Sequence, residues 1–320
     1  MYLECTDEQS PGFDGLKTSK RETPSLYIVP MSLPLIISDA ASMREWVRRE
    51  HKEGRRIGLV PTMGALHEGH LTLAGEASAA CDRVIVSIFV NPTQFGPGED
   101  FEAYPRTLAS DAEKLAALKV VDVIFAPAVE EIYPMGTNVT WVTVDQMGDY
   151  LCGSTRPGHF RGVTTIVARL FAICEPDEAV FGLKDAQQFF ILKRMTAEMG
   201  FGVVLRGVPT VREPDGLAMS SRNRYLTPEE RAAAPLLNRV LSEARETLMR
   251  QGPVDVNTML SKARQRLESE PRCRVDYVQL VDTATLQPLE RVRSGDEVLL
   301  ALAAFFGAAR LIDNVIVTIP

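Results

Sequence analysis

Apolar positions along this chain fall into two periods. Residues 84–90 (VIVSIFV) form a continuous β-branched run, as in a parallel strand buried on both faces. Shorter apolar runs at 57–60, 121–125, 179–181 and 203–207 predict further strands. Between them the apolar residues recur at helical spacing. Residues 40–51 place Met43, Trp46 and Val47 on one face, and 71–81, 111–118 and 187–199 read the same way, the last closed by Gly200. Residues 159–174 start as a loop and become helical. Strands alternating with helices predict an α/β fold built on a doubly wound parallel sheet of Rossmann-like type.

The pattern changes after about Val211. Residues 228–250 predict one charged amphipathic helix, with Thr227 as N-cap, Pro228 in the first turn, and Glu229 and Glu230 at the positive end of the dipole. A second helix is predicted over 254–268 and strands over 277–281, 298–306 and 314–319. This is a smaller α+β domain without parallel crossovers. The apolar stretch 25–37 is interrupted by Pro30 and Pro34, and residues 1–24 have few large apolar residues. The expected organisation is a disordered extension over 1–33, a Rossmann-like domain over 34–210 and a smaller C-terminal domain over 211–320, with Met31 as an alternative start.

Composition narrows the class. The 320 residues are 45% hydrophobic and 24% charged, enough for a sizeable core. A net charge of −7 argues against nucleic acid as the main partner. The five scattered cysteines show no metal spacing and read as reduced cytoplasmic thiols. No apolar run reaches the roughly 18–20 residues that span a bilayer. A cytoplasmic protein without membrane or nucleic-acid partners is expected.

Candidate chemistry lies where strands hand over to helices. PTMGALHEGH (61–70) follows a strand and holds two of the four histidines, His67 and His70. Helix-start N–H groups attract phosphate there, glycine lets it approach, and imidazoles can stabilise charge at an attacked phosphorus. Exposed helix-start histidines are the plain alternative; a zinc site lacks a third ligand. Asn91 to Gly96 follows the buried strand; Gln94 offers donors and an acceptor to a hydroxylated or carboxylated substrate, or the segment is an ordinary turn. RPGHFRG (156–162) carries two arginines and a histidine that suit an anion, or forms a solvated surface loop. GLKDAQQ (182–188) places Lys184 as a point charge for phosphate and should turn Gln187 or Gln188 to the crevice, or is a routine capped helix start. Met219, Ser220, Ser221, Arg222 and Asn223 suit a mobile phosphate clamp, though serine-rich turns are common.

Together with SIFVNPTQFGPGEDFEAYPRT (87–107), FAPAVEEIYP (125–134), FGLKDAQQ (181–188), DGLAMSSRNRYL (215–226) and ARLIDN (309–314), these segments resemble the pantoate–β-alanine ligase family of the HxGH nucleotidyltransferases. The resemblance covers roughly residues 34–320. It implies ATP-dependent condensation of (R)-pantoate with β-alanine to pantothenate, AMP and diphosphate through a pantoyl adenylate. It further implies Mg²⁺ accompanying ATP, with no protein ligand assigned to it, and a homodimer formed through the larger domain. Carried over by position, Met63, Gly64, Ala65, Leu66, His67, Glu68, Gly69 and His70 line the ATP site, joined by Gly182, Leu183, Lys184 and Asp185. Val211 touches adenine, and Met219, Ser220, Ser221 and Arg222 close over the phosphates. Gln94 contacts pantoate and β-alanine, and Gln188 pantoate. His67, His70 and Lys184 stabilise the reaction, and His70 takes the proton-donor role. The alternatives are another HxGH-type adenylyltransferase that keeps AMP on its product, and a non-catalytic ATP-binding module.

Overall fold

A computed structural model describes residues 33–320, apart from 100, 138 and 251–253. The expected extension therefore lies, except for Leu33, outside the described residues. Six strands form a parallel sheet: β1 (Leu35–Ile37), β2 (Ile57–Thr62), β3 (Arg83–Ile88), β4 (Val123–Phe125), β5 (Glu178–Gly182) and β6 (Val204–Val208), in the order β1-β4-β3-β2-β5-β6. Alternate strand residues face opposite ways. Ile57, Leu59, Ile85, Val123 and Phe125 pack on α1 (Ala40–Lys52), α5 (His159–Cys174) and α6 (Ala186–Glu198). Val60, Val84, Val86, Ile124 and Val180 pack on α2 (Glu68–Ala80) and α3 (Leu108–Leu118). The sheet is thus doubly wound, as the continuous apolar strands predict. The remaining helix of this part, α4 (Val129–Ile132), is a single turn.

Three further strands, β7 (Cys273–Asp282), β8 (Glu297–Phe306) and β9 (Ala309–Thr318), form an antiparallel sheet in that order. Val298, Leu300, Leu302, Ala304 and Phe306 of β8 pack on α8 (Leu236–Leu248) and α9 (Val256–Glu268), while Leu299, Ala301 and Ala303 join the core of α5 and α6. Both faces of β8 are therefore buried, which explains its unbroken apolar sequence.

Among the boundaries that differ from the sequence reading, four have a local physical reason. The helix predicted over 228–250 is two, α7 (Pro228–Ala233) and α8, because Pro235 has no N–H for the carbonyl four residues back and its ring crowds that turn. The apolar run ending at 37 contains strand β1, three residues long and too short to show a period. Residues 159–174 are helical from His159 onward, entered through Gly158 in the left-handed region (φ 82°). The strand predicted over 314–319 begins at Ala309, because residues 307–308 close a tight hairpin in which Phe306 pairs with Ala309.

Candidate active site

The strand order reverses beside β2, whose neighbours are β3 and β5. In open parallel sheets, ligands bind at the carboxyl ends of strands at such a switch point. Segments 61–70 and 182–185 leave the sheet there, from β2 and β5.

At the end of β2, Thr62 Oγ1 donates to the Ser87 carbonyl (2.7 Å) and accepts the Gly64 N–H (3.1 Å). The chain then passes two left-handed residues, Gly64 (φ 82°) and Ala65 (φ 51°). A side chain at 64 would meet Ile88 Cγ2 at 3.1 Å, so glycine suits both the space and the torsion. Ala65 has no such freedom and is held by Asp111 of α3. That carboxylate is fully buried and accepts the Ala65 and Leu66 N–H groups, each at 2.9 Å, and the Thr107 hydroxyl at 3.0 Å. Lys114 Nζ donates to the Leu66 carbonyl (2.8 Å). Sequence reasoning missed Asp111; its signal was an acid sharing the buried stripe of α3 with Ala112, Leu115 and Ala116.

His67 is the N-cap of α2. Its Nδ1 accepts the Gly69 N–H (3.2 Å), and His70 Nδ1 accepts the His67 N–H (3.4 Å). A backbone N–H at each Nδ1 leaves the proton on Nε2, so both rings are neutral Nε2–H donors. The rings lie 4.2 Å apart at 41°. A Cβ on residue 69 would sit 2.9 Å from His67 Cε1, so the glycine of H-x-G-H leaves the His67 ring its place in the tilted pair. Burial and the nearby Lys184 cation lower His67 below its ordinary range. Burial, then His67 and Lys184, push His70 down to about 3.

On the β5 side, Lys184 Nζ lies 3.7 Å from Asp185 Oδ2. Asn314 of β9 donates to the carbonyls of Leu183 and Lys184, each at 2.9 Å, and so ties this turn to the second sheet. The two glutamines opening α6 diverge. Gln187 is buried and bonds the Met147 and Tyr150 carbonyls and the Cys152 N–H, whereas Gln188 faces the cleft.

Beyond β3, a 3₁₀ turn (Pro92–Gln94) carries Gln94. Its Oε1 accepts from Asn91 Nδ2 (3.1 Å) and its Nε2 faces Met63 Sδ (2.9 Å). Asn91 also donates to the Gly162 carbonyl (3.1 Å) and accepts the Tyr133 hydroxyl (2.7 Å). Burial raises the Tyr133 phenol above its ordinary value, which keeps it a donor. Gly162 allows α5 to meet this turn: a Cβ there would lie 2.4 Å from the Thr93 carbonyl oxygen.

The facing wall is the 211–225 segment. Met219 N–H donates to the Val211 carbonyl (2.9 Å) and Glu213 N–H to that of Leu217 (2.8 Å), making a narrow loop. Arg212 forks onto Asp313 (2.7 and 2.9 Å), Asn223 Nδ2 bonds Glu213 Oε1 (2.8 Å), and Arg231 pairs with Glu213 and Asp215. Ser220 Oγ accepts the Arg222 N–H (3.2 Å).

These elements enclose a cleft of about 250 Å³ lined by Met63, His67, Gly69, His70, Gln94, Gly182, Lys184, Asp185, Gln188, Val211, Met219, Ser220, Ser221 and Arg222. Five of the expected residues do not line it. Gly64 and Ala65 shape the turn behind it, Leu66 is buried in the α2–α3 core, Leu183 packs over Gly207, and Glu68 is exposed on α2. Arg156 and His159 line the cleft, yet Arg156 is paired with Glu99 rather than open to an anion. A larger chamber of about 720 Å³ adjoins it but touches none of residues 61–70.

The cleft can hold a polyanion between neutral N–H donors and a lysine, with amide groups at one end. A family model described as Pantoate-beta-alanine ligase matches residues 35–316. Pantothenate synthetase of Heliobacterium modesticaldum is 52% identical over 284 residues, 89% of this chain and 99% of that protein. Its counterpart in Salinibacter ruber is 50% identical over 274 residues, 84% and 92% of the two chains. The crystal structure of pantothenate synthetase from Thermus thermophilus is similar at a TM-score of 0.80 and 45% identity, covering 88% of this chain and 98% of that one. Pantoate-beta-alanine ligase from Francisella tularensis, complexed with beta-gamma ATP and beta-alanine, is similar at 0.71 and 32%, covering 88% and 97%. By the extent of these matches, the chain belongs to the pantoate–β-alanine ligase family.

Proposed function

We propose that the cleft at the β2–β5 switch point joins pantoate to β-alanine through an acyl adenylate. As a member of its family the chain is an ATP-dependent pantoate–β-alanine ligase. The two-step course and the residue roles are our reading. The observation that carries it is the convergence of the histidine turn, Lys184 and the Met219–Arg222 segment on one cleft.

In the first step a pantoate carboxylate oxygen attacks the α-phosphorus of ATP. The bond to the bridging oxygen breaks and diphosphate leaves. The carboxylate is ionised at neutral pH, so this step needs alignment and charge stabilisation rather than a base. The Nε2–H groups of His67 and His70 and the Lys184 ammonium supply that stabilisation, all three side chains lining one cleft. Ser220, Ser221 and Arg222 hold the outer phosphates, Val211 and Met219 flank the nucleotide, and Met63 and Gly69 form the floor. Gly182 and Asp185 complete the ATP side. The backbone of Gly64 to Leu66 sets the turn, while Glu68 at the dipole start and Leu183 in its packing support it.

In the second step the neutral amine of β-alanine attacks the acyl carbon. The bond to the phosphate oxygen breaks, AMP leaves, and the amine loses a proton. Gln94 and Gln188 hold pantoate, with Gln94 also beside β-alanine. An imidazole with a pKa near 3 donates a hydrogen bond but accepts no proton at neutral pH. The negative charge of bound nucleotide raises that value and brings His70 toward proton exchange.

Mg²⁺ suits this donor set. It is commonly held by one or two carboxylates plus substrate phosphates, and the Asp185 carboxylate lies on the lining beside Lys184. When bound, the ion neutralises phosphate charge. We further propose that residues 34–210 form the nucleotide and pantoate domain and residues 211–320 a lid. The protein is proposed to work as a cytoplasmic homodimer; among the described residues no helix is long and apolar enough to cross a membrane.

Incubation with ATP, Mg²⁺, pantoate and β-alanine, omitting each in turn, tests the course. Pantoate alone should support exchange of label between diphosphate and ATP, and AMP should accumulate only when β-alanine is present. AMP retained on a product, or no exchange without β-alanine, would overturn the two-step reading.

A further inference from the structure

His159 opens α5, and its imidazole sits between two partners that leave its protons no choice. Nδ1 lies 2.7 Å from the Gln94 carbonyl oxygen, which only accepts. Nε2 lies 3.1 Å from Arg156 Nη1, which only donates. The ring is therefore the neutral Nδ1–H tautomer, opposite to His67 and His70. Arg156 is fixed in turn by Glu99, through Nε to Oε1 (2.7 Å) and Nη2 to Oε2 (2.6 Å). A relay runs from the Glu99 carboxylate through Arg156 and His159 to the backbone of Gln94.

Gln94 is the residue this relay constrains. Its carboxamide oxygen is already held by Asn91 Nδ2, and its Nε2 meets only the weakly accepting thioether of Met63. The amide N–H groups are thus the capacity left for an oxygen-bearing substrate. The other hydrogen bonds on the Gln94 backbone are long, its N–H on the Asn91 carbonyl at 3.5 Å and its carbonyl on Arg156 Nη2 at 3.5 Å. The 2.7 Å bond from His159 is the short one, and so the principal anchor of this backbone.

We infer that His159 is a positioning residue for the ligation, setting the Gln94 carboxamide toward pantoate through its Nδ1–H on the Gln94 carbonyl. This inference rests on the assignment of Gln94 to pantoate. His159 needs no contact with substrate for it. The groups facing the ring are Arg156, Glu99 and Asp185, with the Phe160 ring edge-on at 4.9 Å. Burial and Arg156 push the imidazole down to about 4, so the relay stays intact across the neutral range.

The test compares two substitutions with full steady-state kinetics. His159→Asn keeps an N–H donor at the Nδ1 position and should leave the pantoate KM within about 3-fold of the parent. His159→Leu removes the donor and should raise that KM roughly 10-fold or more, because small misplacements of a positioning group are costly. The ATP KM should stay within about 2-fold in both, a split that general loosening of the fold does not produce. Equal losses in the two variants, or an unchanged pantoate KM in His159→Leu, overturn the inference.

Histidine-selective ¹⁵N NMR on the unmodified protein gives an answer even if a variant fails to fold. The His159 ring should carry its proton on Nδ1 at pH 7, and an Nε2–H tautomer would also overturn the inference. Gln94→Ala separates the two levels of argument. If it leaves the pantoate KM unmoved, the Gln94 assignment fails. If it raises that KM while His159→Leu does not, only the positioning role fails.

Discussion

The histidine turn, 61–70, is held by one fully buried carboxylate, whereas the 213–215 turn across the cleft is held by ion pairs that water reaches, although Arg212 beside it forks onto the buried Asp313. Asp111 accepts two backbone N–H groups and a hydroxyl with no solvent contact. Arg231, which pairs with Glu213 and Asp215, keeps 30% of its side chain exposed. The first wall is preorganised: its donors stand in place before charge develops, which is how electrostatic stabilisation lowers a barrier without reorganisation at the moment of reaction. The 213–215 turn of the second wall is bound by interactions that salt screens and motion can exchange. Under the roles proposed above, that difference would give the reacting phosphorus a rigid floor and the outer phosphates an adjustable cover.

Removing the donors of the rigid wall should have the largest effect. His70→Ala should slow pantoate-dependent ATP–diphosphate exchange by about 10²- to 10³-fold, or roughly 3–4 kcal/mol, the scale of one lost oxyanion donor. Lys184→Ala should cost about 3 kcal/mol in the same assay. Exchange by His70→Ala within a few-fold of the parent would remove the imidazole from the reaction.

Asp111→Ala tests the support rather than the chemistry. It leaves the buried Leu66 N–H, the half-buried Ala65 N–H and a hydroxyl without their acceptor, and Ala65 in a left-handed conformation without its anchor. A loss of roughly 2–3 kcal/mol in urea unfolding is expected. The ATP KM should rise with it, since His67 and His70 follow this turn. A variant as stable as the parent would show that the buried carboxylate does not hold the loop.

Acid should act on the buried histidines of the cleft. His70 (about 3) and His159 (about 4) both lie below the unfolded value near 6.5. In that window the unfolded chain binds protons that the folded chain refuses. Their stabilisation is therefore complete above pH 6.5 and lost as pH falls toward 4 and 3. Between pH 7 and 5 the loss should be about 1–2 kcal/mol per histidine in urea unfolding, and His70→Ala should remove its share. A flat profile over this range would contradict the neutral, buried rings.

Much of this was legible in the sequence because it depends on local pattern. Continuous apolar strands imply a sheet covered on both faces, and histidines around a glycine at a strand end imply an anion site at a switch point. What was not legible depends on partners far apart in the chain. Asp111 reaches Ala65 across 46 positions, and Asn314 reaches Lys184 across 130. The glutamine pair at 187–188 is ambiguous locally, since either could face the cleft; the 147–152 loop captures Gln187 and leaves Gln188 to line it. The break at Pro235 shows the opposite error, where amphipathic periodicity outweighed a proline that the backbone could not ignore.

The smallest effect belongs to the exposed wall. Arg231→Ala removes both ion pairs of the 213–215 turn while leaving the Asn223 and Arg212 contacts in place. Exposed pairs contribute about 0–1 kcal/mol, so the ATP KM should rise about 3-fold with the exchange rate at saturation nearly unchanged. Added salt should do the same to the parent: at about 0.5 M NaCl, where the screening length falls well below that of physiological salt, its ATP KM should approach that of Arg231→Ala, and the variant should respond less. Bound triphosphate is itself screened by salt, so the informative quantity is the difference between the two salt slopes rather than either one. Equal slopes would mean that the ion pairs do not set the clamp, and the contrast between the two walls would then rest on Asp111 alone.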